Sequence, residues 1–473
     1  MINLFILLYV YFVSFTDKPE KTAPQLSPRA IEQRQKWNIP TDQMDYPVSG
    51  LYMDSLRRMG VHIYHKSRWF NGVTCEMSET TANKVAALRF VAGVEMTRDD
   101  SEPIYAPRKR AKWLSHSVSD AETPAQIANY TDDQLALYNL PPLHAAGFEG
   151  QGILMSICDG GFNRANTMSC FRQEQLLGYF DLTDDSYDFF GSTGTHGTEC
   201  LSVISGITSG FYGSATQADY YLMRSEEYET ESPKEMDNLV AALEKADSLG
   251  VNVFSVSLGY ASFDNSSWSL DKTTDLDGQT TRVSRAATIA ARKGMLVCVA
   301  AGNDGTSAWR TISAPADADS VLTIGAVGTD SVVGGFSSYG PSSDGRIKPE
   351  VCAVGVQTTL IHPNGTVVTS NGTSFATPLL AGLAASLWSA LPNENAMQIR
   401  ERIIRSAHRY EHPDRSNHIG YGIPDAWLAY TMSLTTGLEV QRDNVQGIKV
   451  MENGILYLMY NGQKYDVQGR RIE

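Results

Sequence analysis

The chain lacks several features that would narrow its class. It has no run of about eighteen or more apolar residues, so the sequence predicts no membrane-spanning helix. Basic residues are in the minority: the chain has 39 Lys and Arg and 53 Asp and Glu, which gives a net charge of −14 at pH 7. That balance argues against nucleic acid as a partner. The length of 473 residues instead suggests a globular protein of two or three domains.

Cysteine is also scarce, with six in the whole chain. If Cys75 leaves with an N-terminal segment, five remain, which excludes a full disulfide framework and leaves one bridge open. Cys158, Cys298 and Cys352 lie in apolar, strand-like runs, where cysteine usually behaves as a small buried hydrophobe.

The first hundred residues predict a small α+β unit. Met1–Phe15 is apolar but has no Lys or Arg and no A-x-A site, so it is an imperfect secretory signal. Tyr9–Phe15 has the aromatic and β-branched composition of a strand, and the unit needs such a first strand. The other predicted elements are helices at Ser27–Trp37, Leu51–Met59 and Ser78–Val91, and strands at Val61–Ser67, Trp69–Met77 and Gly93–Thr97.

Asp99–Asp132 has no periodicity and contains the basic run Pro107–Lys112. It is either an exposed charged linker or a processing segment, since exposed basic linkers are easily cut. After it, strands and helices alternate, which predicts a parallel sheet with helices on both faces and functional groups at the carboxyl ends of the strands. Near the C-terminus, Asn453-Gly454 and Asn461-Gly462 predict hairpins in a β appendage of about 35–40 residues.

Ser374 lies where a stretch of small residues meets a long apolar run. The run Phe375–Leu391 is apolar all round, which predicts a buried helix. Pro378 fits the first turn of that helix, where a missing N–H costs nothing. Ser374 would then lie at the N-terminus, either as a helix cap or as a nucleophile whose own N–H stabilises an oxyanion.

Three further residues complete a candidate site. Asp159 follows a predicted buried strand and can orient an imidazole. His196 precedes a glycine and can act as a general base for Ser374. Asn303, in a glycine-rich turn, can donate its side-chain amide to an oxyanion. Each alone is more simply a turn, cap or packing residue, but together they favour nucleophilic catalysis.

From about Leu135 to Leu434 the chain resembles the subtilisin-like serine peptidases, or subtilases. The motifs that carry the resemblance are Asp159-Gly160-Gly161, His196-Gly197-Thr198, Ser257-Leu258-Gly259, Ala300-Ala301-Gly302-Asn303 and Gly372-Thr373-Ser374-Phe375-Ala376-Thr377-Pro378. The chain departs from the family pattern at Glu199, Cys200 and Glu350.

The resemblance implies a serine endopeptidase of polypeptide substrates that forms an acyl-enzyme. Ser374 is the implied nucleophile, His196 the base and then the acid, and Asp159 the residue that orients His196. The Asn303 side chain and the Ser374 N–H are the implied oxyanion hole. Substrate contacts are implied for Ser257, Leu258 and Gly259 as an added-strand edge and for Ala300, Ala301 and Gly302 as part of the S1 pocket.

The first hundred residues are similar to the ferredoxin-like propeptides of secreted subtilases of Bacteroidetes-type bacteria. This implies a zymogen inhibited by its own propeptide and exported to the cell envelope or beyond it. The expected division is 1–115 for signal remnant and propeptide, 116–435 for the peptidase domain and 436–473 for the β segment. The chemistry requires no cofactor and no metal ligand set is predicted, while acidic loops such as Asp181–Asp188 leave structural calcium open. A non-catalytic subtilase-fold surface or binding protein is the alternative function.

Overall fold

The structure is a computed structural model that describes most of the chain. The described residues are 7–20, 22–99, 130–183, 187–192, 194–414, 416, 418–434, 448–452, 455–460, 463–465 and 471–472. The basic run Pro107–Lys112 and the two Asn-Gly turns lie outside them. The chain divides into two compact units, Met1–Thr431 and Met432–Glu473.

Within the first unit, residues 7–99 form an N-terminal module around one antiparallel sheet. The predicted first strand is confirmed: β1 (Tyr9–Phe15) lies inside the sheet, paired with β3 and β4 in the order β2-β3-β1-β4. The other strands are β2 (His62–Ser67), β3 (Gly72–Met77) and β4 (Val91–Asp99), and the helices are α1 (Pro28–Lys36), α2 (Gly50–Arg58) and α3 (Glu79–Ala86).

Two predicted boundaries in this module were wrong. The strand expected from Trp69 begins only at Gly72, because Asn71 takes a positive φ of 46° in a tight turn. The helix expected to reach Val91 ends at Ala86, and Phe90 leaves the helix to stack on Tyr52 with 4.3 Å between ring centroids.

The central body, residues 130–431, is built on a seven-stranded parallel sheet. The strand order is β13-β12-β11-β10-β5-β9-β6. The strands are β5 (Leu154–Asp159), β6 (Leu176–Asp181), β9 (Asp219–Arg224), β10 (Val253–Val256), β11 (Leu296–Ala300), β12 (Leu322–Val327) and β13 (Val351–Val354). Two hairpins lie outside the sheet, formed by β7 (Ile207–Thr208) with β8 (Phe211–Tyr212) and by β14 (Thr358–Ile361) with β15 (Val367–Ser370).

Helices cover both faces of this sheet, as the sequence predicts, because successive strand residues point to opposite sides. Met155 and Ile157 of β5 join one apolar core, whereas Leu154 and Cys158 join the other. The first core includes α6 (His196–Ser205) and α9 (Thr373–Ala390), and the second includes α7 (Pro233–Leu249) and α8 (Arg282–Arg292). The remaining helices are α4 (Asp132–Ala136), α5 (Pro141–Ala145), α10 (Ala396–Ser406) and α11 (Ala426–Thr431).

The second unit contains a small antiparallel sheet, as predicted for the C-terminal segment. Its strands are β16 (Ile448–Glu452), β17 (Ile455–Tyr460), β18 (Gln463–Tyr465) and β19 (Arg471–Ile472), paired in that order.

All six cysteines are buried as free thiols, so the open possibility of one bridge is not realised. No helix in the described part of the chain has both the length and the hydrophobicity that crossing a bilayer requires.

Candidate active site

The first two candidate residues meet because Gly197 lets a helix approach the end of a strand. Asp159 is the last residue of β5 and His196 is the first of α6. A Cβ on Gly197 would lie 2.4 Å from the Gly161 carbonyl oxygen, so any larger residue would push the start of α6 away. Instead the Gly197 N–H donates to that carbonyl at 3.1 Å.

Asp159 and His196 form a close pair inside the protein. The Nδ1 atom of His196 lies 2.9 Å from one carboxylate oxygen of Asp159 and 3.0 Å from the other. The Asp159 side chain is fully buried and also accepts the Gly160 N–H at 2.7 Å. Burial acts to lower the pKa of His196, but the Asp159 carboxylate outweighs it and holds that pKa well above its usual value. The pair is therefore arranged to stabilise an imidazolium.

Ser374 is the second residue of α9, where backbone N–H groups have no partner within the helix. Pro378 was predicted in the first turn but lies further inside the helix, so that prediction was wrong. An α-helical N–H at position 378 would bond to the carbonyl of Ser374, and proline has none. The Ser374 carbonyl accepts from the Ser257 hydroxyl at 2.8 Å and the Cys200 thiol at 3.3 Å instead.

Cys200 is a site neighbour whose contacts sequence reasoning missed. Its sulfur lies 3.7 Å from Nδ1 of His196 as well as 3.3 Å from the Ser374 carbonyl, so one thiol touches both residues. The signal was the spacing, because Cys200 lies four residues after His196 on the same face of α6. Burial raises the pKa of the Cys200 thiol to about 11, so it is a neutral group near pH 7.

Asn303 is held by the residue that precedes Ser374. Its side-chain oxygen accepts both the N–H and the hydroxyl of Thr373, each at 2.9 Å. Because the oxygen is engaged, the Nδ2 amino group is the end that can donate to an oxyanion. Gly302 supports the turn with a φ of 110°, a conformation that favours glycine.

The six candidate substrate-contact residues follow or end two neighbouring strands. Ser257, Leu258 and Gly259 come after β10, and Ala300, Ala301 and Gly302 lie at and after the end of β11. The Ser374 hydroxyl donates to the Ser257 carbonyl at 3.4 Å, and the Gly302 N–H donates to the Thr373 hydroxyl at 3.3 Å. Both segments therefore contact the start of α9.

Among the described residues, two groups of three side chains bring potential metal-ligand atoms within 4.8 Å of one another. One is Asp159, His196 and Cys200, which is the site itself. The other is Glu226, Glu231 and Glu235, in which Glu226 accepts the Tyr260 hydroxyl at 2.6 Å and Glu235 accepts the Glu227 N–H at 2.9 Å.

Known proteins match both parts of the first unit. Residues 150–422, more than half of the chain, match the model of the subtilase family, and residues 10–116 match that of the peptidase S8 propeptide domain of Bacteroidota. Subtilisin DY from Bacillus licheniformis is 28% identical over 276 residues, which make up 58% of this chain and 90% of that protein. Subtilisin E from Bacillus subtilis is 27% identical over 270 residues, or 56% of this chain and 63% of that protein.

Among solved structures, MycP1 from Mycobacterium smegmatis has a similar fold. It is 21% identical, with a TM-score of 0.51, over 66% of this chain and 87% of that one.

Proposed function

Because the chain belongs to the subtilase family and is a serine-type endopeptidase, we propose that it cleaves polypeptides through an acyl-enzyme formed on Ser374. The observation that carries this proposal is the 2.9 Å contact between the Asp159 carboxylate and Nδ1 of His196 beside the start of α9. With Nδ1 bound to Asp159, the opposite ring nitrogen is the one that accepts the serine proton.

The proposed reaction uses Nε2 of His196 first as a base and then as an acid, while Nδ1 stays bound to Asp159. The Ser374 hydroxyl turns from the Ser257 carbonyl, gives its proton to Nε2 and attacks the scissile carbonyl carbon. The oxyanion then receives hydrogen bonds from the Ser374 N–H and from Nδ2 of Asn303. The imidazolium returns the proton to the leaving amine, and water repeats the sequence to release the acid.

Substrate contacts are proposed at the two segments that touch the start of α9. Ser257–Gly259 offers a backbone edge to which an extended peptide adds as a strand, and Ala300–Gly302 borders the pocket for the residue before the scissile bond. Both segments follow adjacent parallel strands, β10 and β11, and functional groups commonly lie at the carboxyl ends of such strands.

The proposed precursor is a zymogen that is exported to the cell envelope or beyond it. The N-terminal module, within proposed domain 1–115, is the intramolecular inhibitor of the peptidase domain at 116–435, and 436–473 is a separate β segment. The match of residues 10–116 to a subtilase propeptide supports this division. Cleavage within residues 100–129 would separate inhibitor from enzyme.

A fluorophosphonate probe for activated serines tests the proposal. The wild-type chain is expected to be labelled and to lose roughly the mass of the N-terminal module. Ser374→Ala is expected to show neither effect. Ser389→Ala, near the far end of α9, is the matched control and should be labelled like the wild type.

If the wild type is unlabelled, a second protease should trim the N-terminal module before the probe is added again. Labelling after trimming would indicate a blocked zymogen. Absence of labelling after complete trimming would contradict the enzyme mechanism and favour a subtilase fold used for binding.

A further inference from the structure

Residues 22–47, which include α1, form a loop whose ends meet. Just outside it, the Ser49 hydroxyl donates to a Glu20 carboxylate oxygen at 2.9 Å, and the Leu51 N–H donates to the same oxygen at 3.0 Å. The sheet β2-β3-β1-β4 contains no strand from this segment, and Asp45 of the segment lies 3.5 Å from Arg68 of the module. We call residues 22–47 the strap.

The strap lies on the central body at the opposite end of the sheet from the candidate active site. Arg29 of α1 donates to the carbonyls of Gly250 and Gly152, both at 3.1 Å, and to the Asn252 side-chain oxygen at 2.7 Å. Gly152 and Asn252 precede β5 and β10, whereas Asp159 is the last residue of β5. The strap contacts are thus separated from Asp159 by the length of a strand.

An enclosed ion pair lies at the centre of this contact. The Arg34 guanidinium donates to both carboxylate oxygens of Asp247 on α7 at 2.8 Å, and the two side chains are each only 4% exposed. Arg34 also lies 2.6 Å from Asp45, another strap residue. Removing one partner of such a pair while the other stays enclosed is costly, because a buried charge is then left without its counter-charge.

In a second set of ion pairs the body supplies the cation and the strap supplies the anions. Lys293 of the body lies 2.8 Å from Asp42 and 3.1 Å from Asp45 of the strap. Burial acts to raise the pKa of Asp45, but the Asp42 N–H group and Arg34 outweigh it and hold that pKa below its usual value. Each partner therefore supplies both a cation and an anion.

The two backbones also fit closely where the strap begins α1. The Ser27 N–H donates to the Ser248 carbonyl at 2.8 Å. A Cβ on Gly250 would lie 2.8 Å from the Ala30 nitrogen, so only glycine leaves room for the strap at that position. The surface of the body is therefore complementary to the strap in shape as well as in charge.

We propose that the strap is an anchor that keeps the N-terminal module bound after the chain is cut within residues 100–129. The inference rests on the proposed function, in which such a cut separates inhibitor from enzyme. The module contacts the body through the strap and also directly, where the Thr74 hydroxyl of β3 donates to Asp237 of α7 at 3.1 Å. It leaves only when both contacts are open together, because each holds the other at high effective concentration. The strap contact therefore slows the departure of the module after the cut.

The test separates anchoring from catalysis by using the full-length Ser374→Ala chain. A recognition sequence for a site-specific protease replaces residues 105–112, and the purified chain is cut by that protease. Gel filtration at intervals then measures how fast residues 7–99 leave the body. Because this chain has no nucleophile, the result does not depend on whether the proposed reaction is correct.

Three variants in that background give the comparison. One replaces the strap by a short Gly-Ser linker between residues 21 and 48, the second is Arg34→Gln, and the third is the matched control Arg57→Gln. Arg57 lies on α2 and is 56% exposed. We expect dissociation at least tenfold faster for the first two, with Arg57→Gln like the parent.

Circular dichroism and gel filtration before cutting show which variants are folded. If the strap deletion is not folded, Arg34→Gln and a further variant, Arg29→Gln, decide the question. Equal dissociation rates for the parent and every folded strap variant would overturn the proposal, as would immediate dissociation of the parent on cutting.

Discussion

The side-chain amide of Asn303 is fixed through its oxygen. Thr373 supplies two donors to that oxygen, so the amide cannot turn over without losing both hydrogen bonds. The amide is thereby fixed before any substrate binds, and a donor fixed in this way is what the proposed oxyanion hole requires. Aspartate would keep the acceptor for Thr373 but replace the donating end by a second acceptor.

Asn303→Ala and Asn303→Asp are therefore expected to lower kcat by about 10²–10³-fold with little change in KM. Both variants should be trimmed to the mature length by a second protease, because slow self-processing would otherwise mimic slow catalysis. Steady-state kinetics on a peptide substrate gives the comparison. An unchanged kcat in either trimmed variant would remove Asn303 from the mechanism.

The Asp159–His196 pair also determines the direction of the pH dependence. The proposed mechanism needs neutral His196 as the base, and Asp159 raises the pKa of His196 well above 6.5. As pH falls through that raised pKa the imidazole becomes protonated, so kcat/KM should decline already above pH 6.5. Asp159→Asn should move the acid limb of its residual activity to lower pH.

A pH profile of kcat/KM for the processed enzyme, measured at constant ionic strength, checks this expectation. An acid limb at or below pH 6.5 would show that the Asp159 carboxylate does not raise the pKa of His196.

Helix α9 shows what a local pattern predicts and what it does not. The buried character of the helix and the position of Ser374 at its start follow from a uniformly apolar run after Gly372-Thr373. The position of Pro378 inside the helix could not be predicted from the neighbouring residues. A proline inside a helix is tolerated when another group satisfies the orphaned carbonyl, and here Ser257 and Cys200 come from distant parts of the chain.

The Ser257 hydroxyl is therefore expected to stabilise α9. Ser257→Ala should lower the free energy of unfolding by about 1–3 kcal/mol, because a buried carbonyl loses its better donor. Cys200→Val should cost less through this contact, since a thiol is a weak donor. In the Ser257→Ala background, Pro378→Ala should restore part of the loss by supplying an N–H to the Ser374 carbonyl.

Urea unfolding of these variants in a Ser374→Ala chain, which cannot digest itself, gives the comparison. Equal midpoints for the parent and Ser257→Ala would mean that this hydrogen bond contributes nothing net to stability.

At the scale of the whole molecule, the sequence predicted the parts better than their contacts. Strand-helix alternation predicted the parallel sheet, and the need for a first strand placed β1. Helix α1 was also predicted. Nothing in its periodicity shows that it docks on α7, because that contact depends on charges more than two hundred residues away, such as Asp247.

The turn between β2 and β3 provides a second charged contact between the module and the body. Arg68 donates to the Glu244 carbonyl at 2.9 Å and to the Asp247 carboxylate at 2.7 Å, while the Glu244 carboxylate accepts the Arg68 N–H at 2.9 Å. Burial raises the pKa of Glu244 despite these donors. Without Arg68, the enclosed side chains of Glu244 and Asp247 on α7 would lose a neighbouring positive charge.

Arg68→Leu should therefore destabilise the docked state by about 3–5 kcal/mol, the usual cost of removing one member of a buried ion pair. Arg57→Leu removes an exposed arginine of the same module and should change stability by less than about 1 kcal/mol. Thermal unfolding of the full chain in the Ser374→Ala background measures both. An Arg68→Leu shift as small as that of Arg57→Leu would mean that the docked state does not need Arg68 to balance the carboxylates of Glu244 and Asp247.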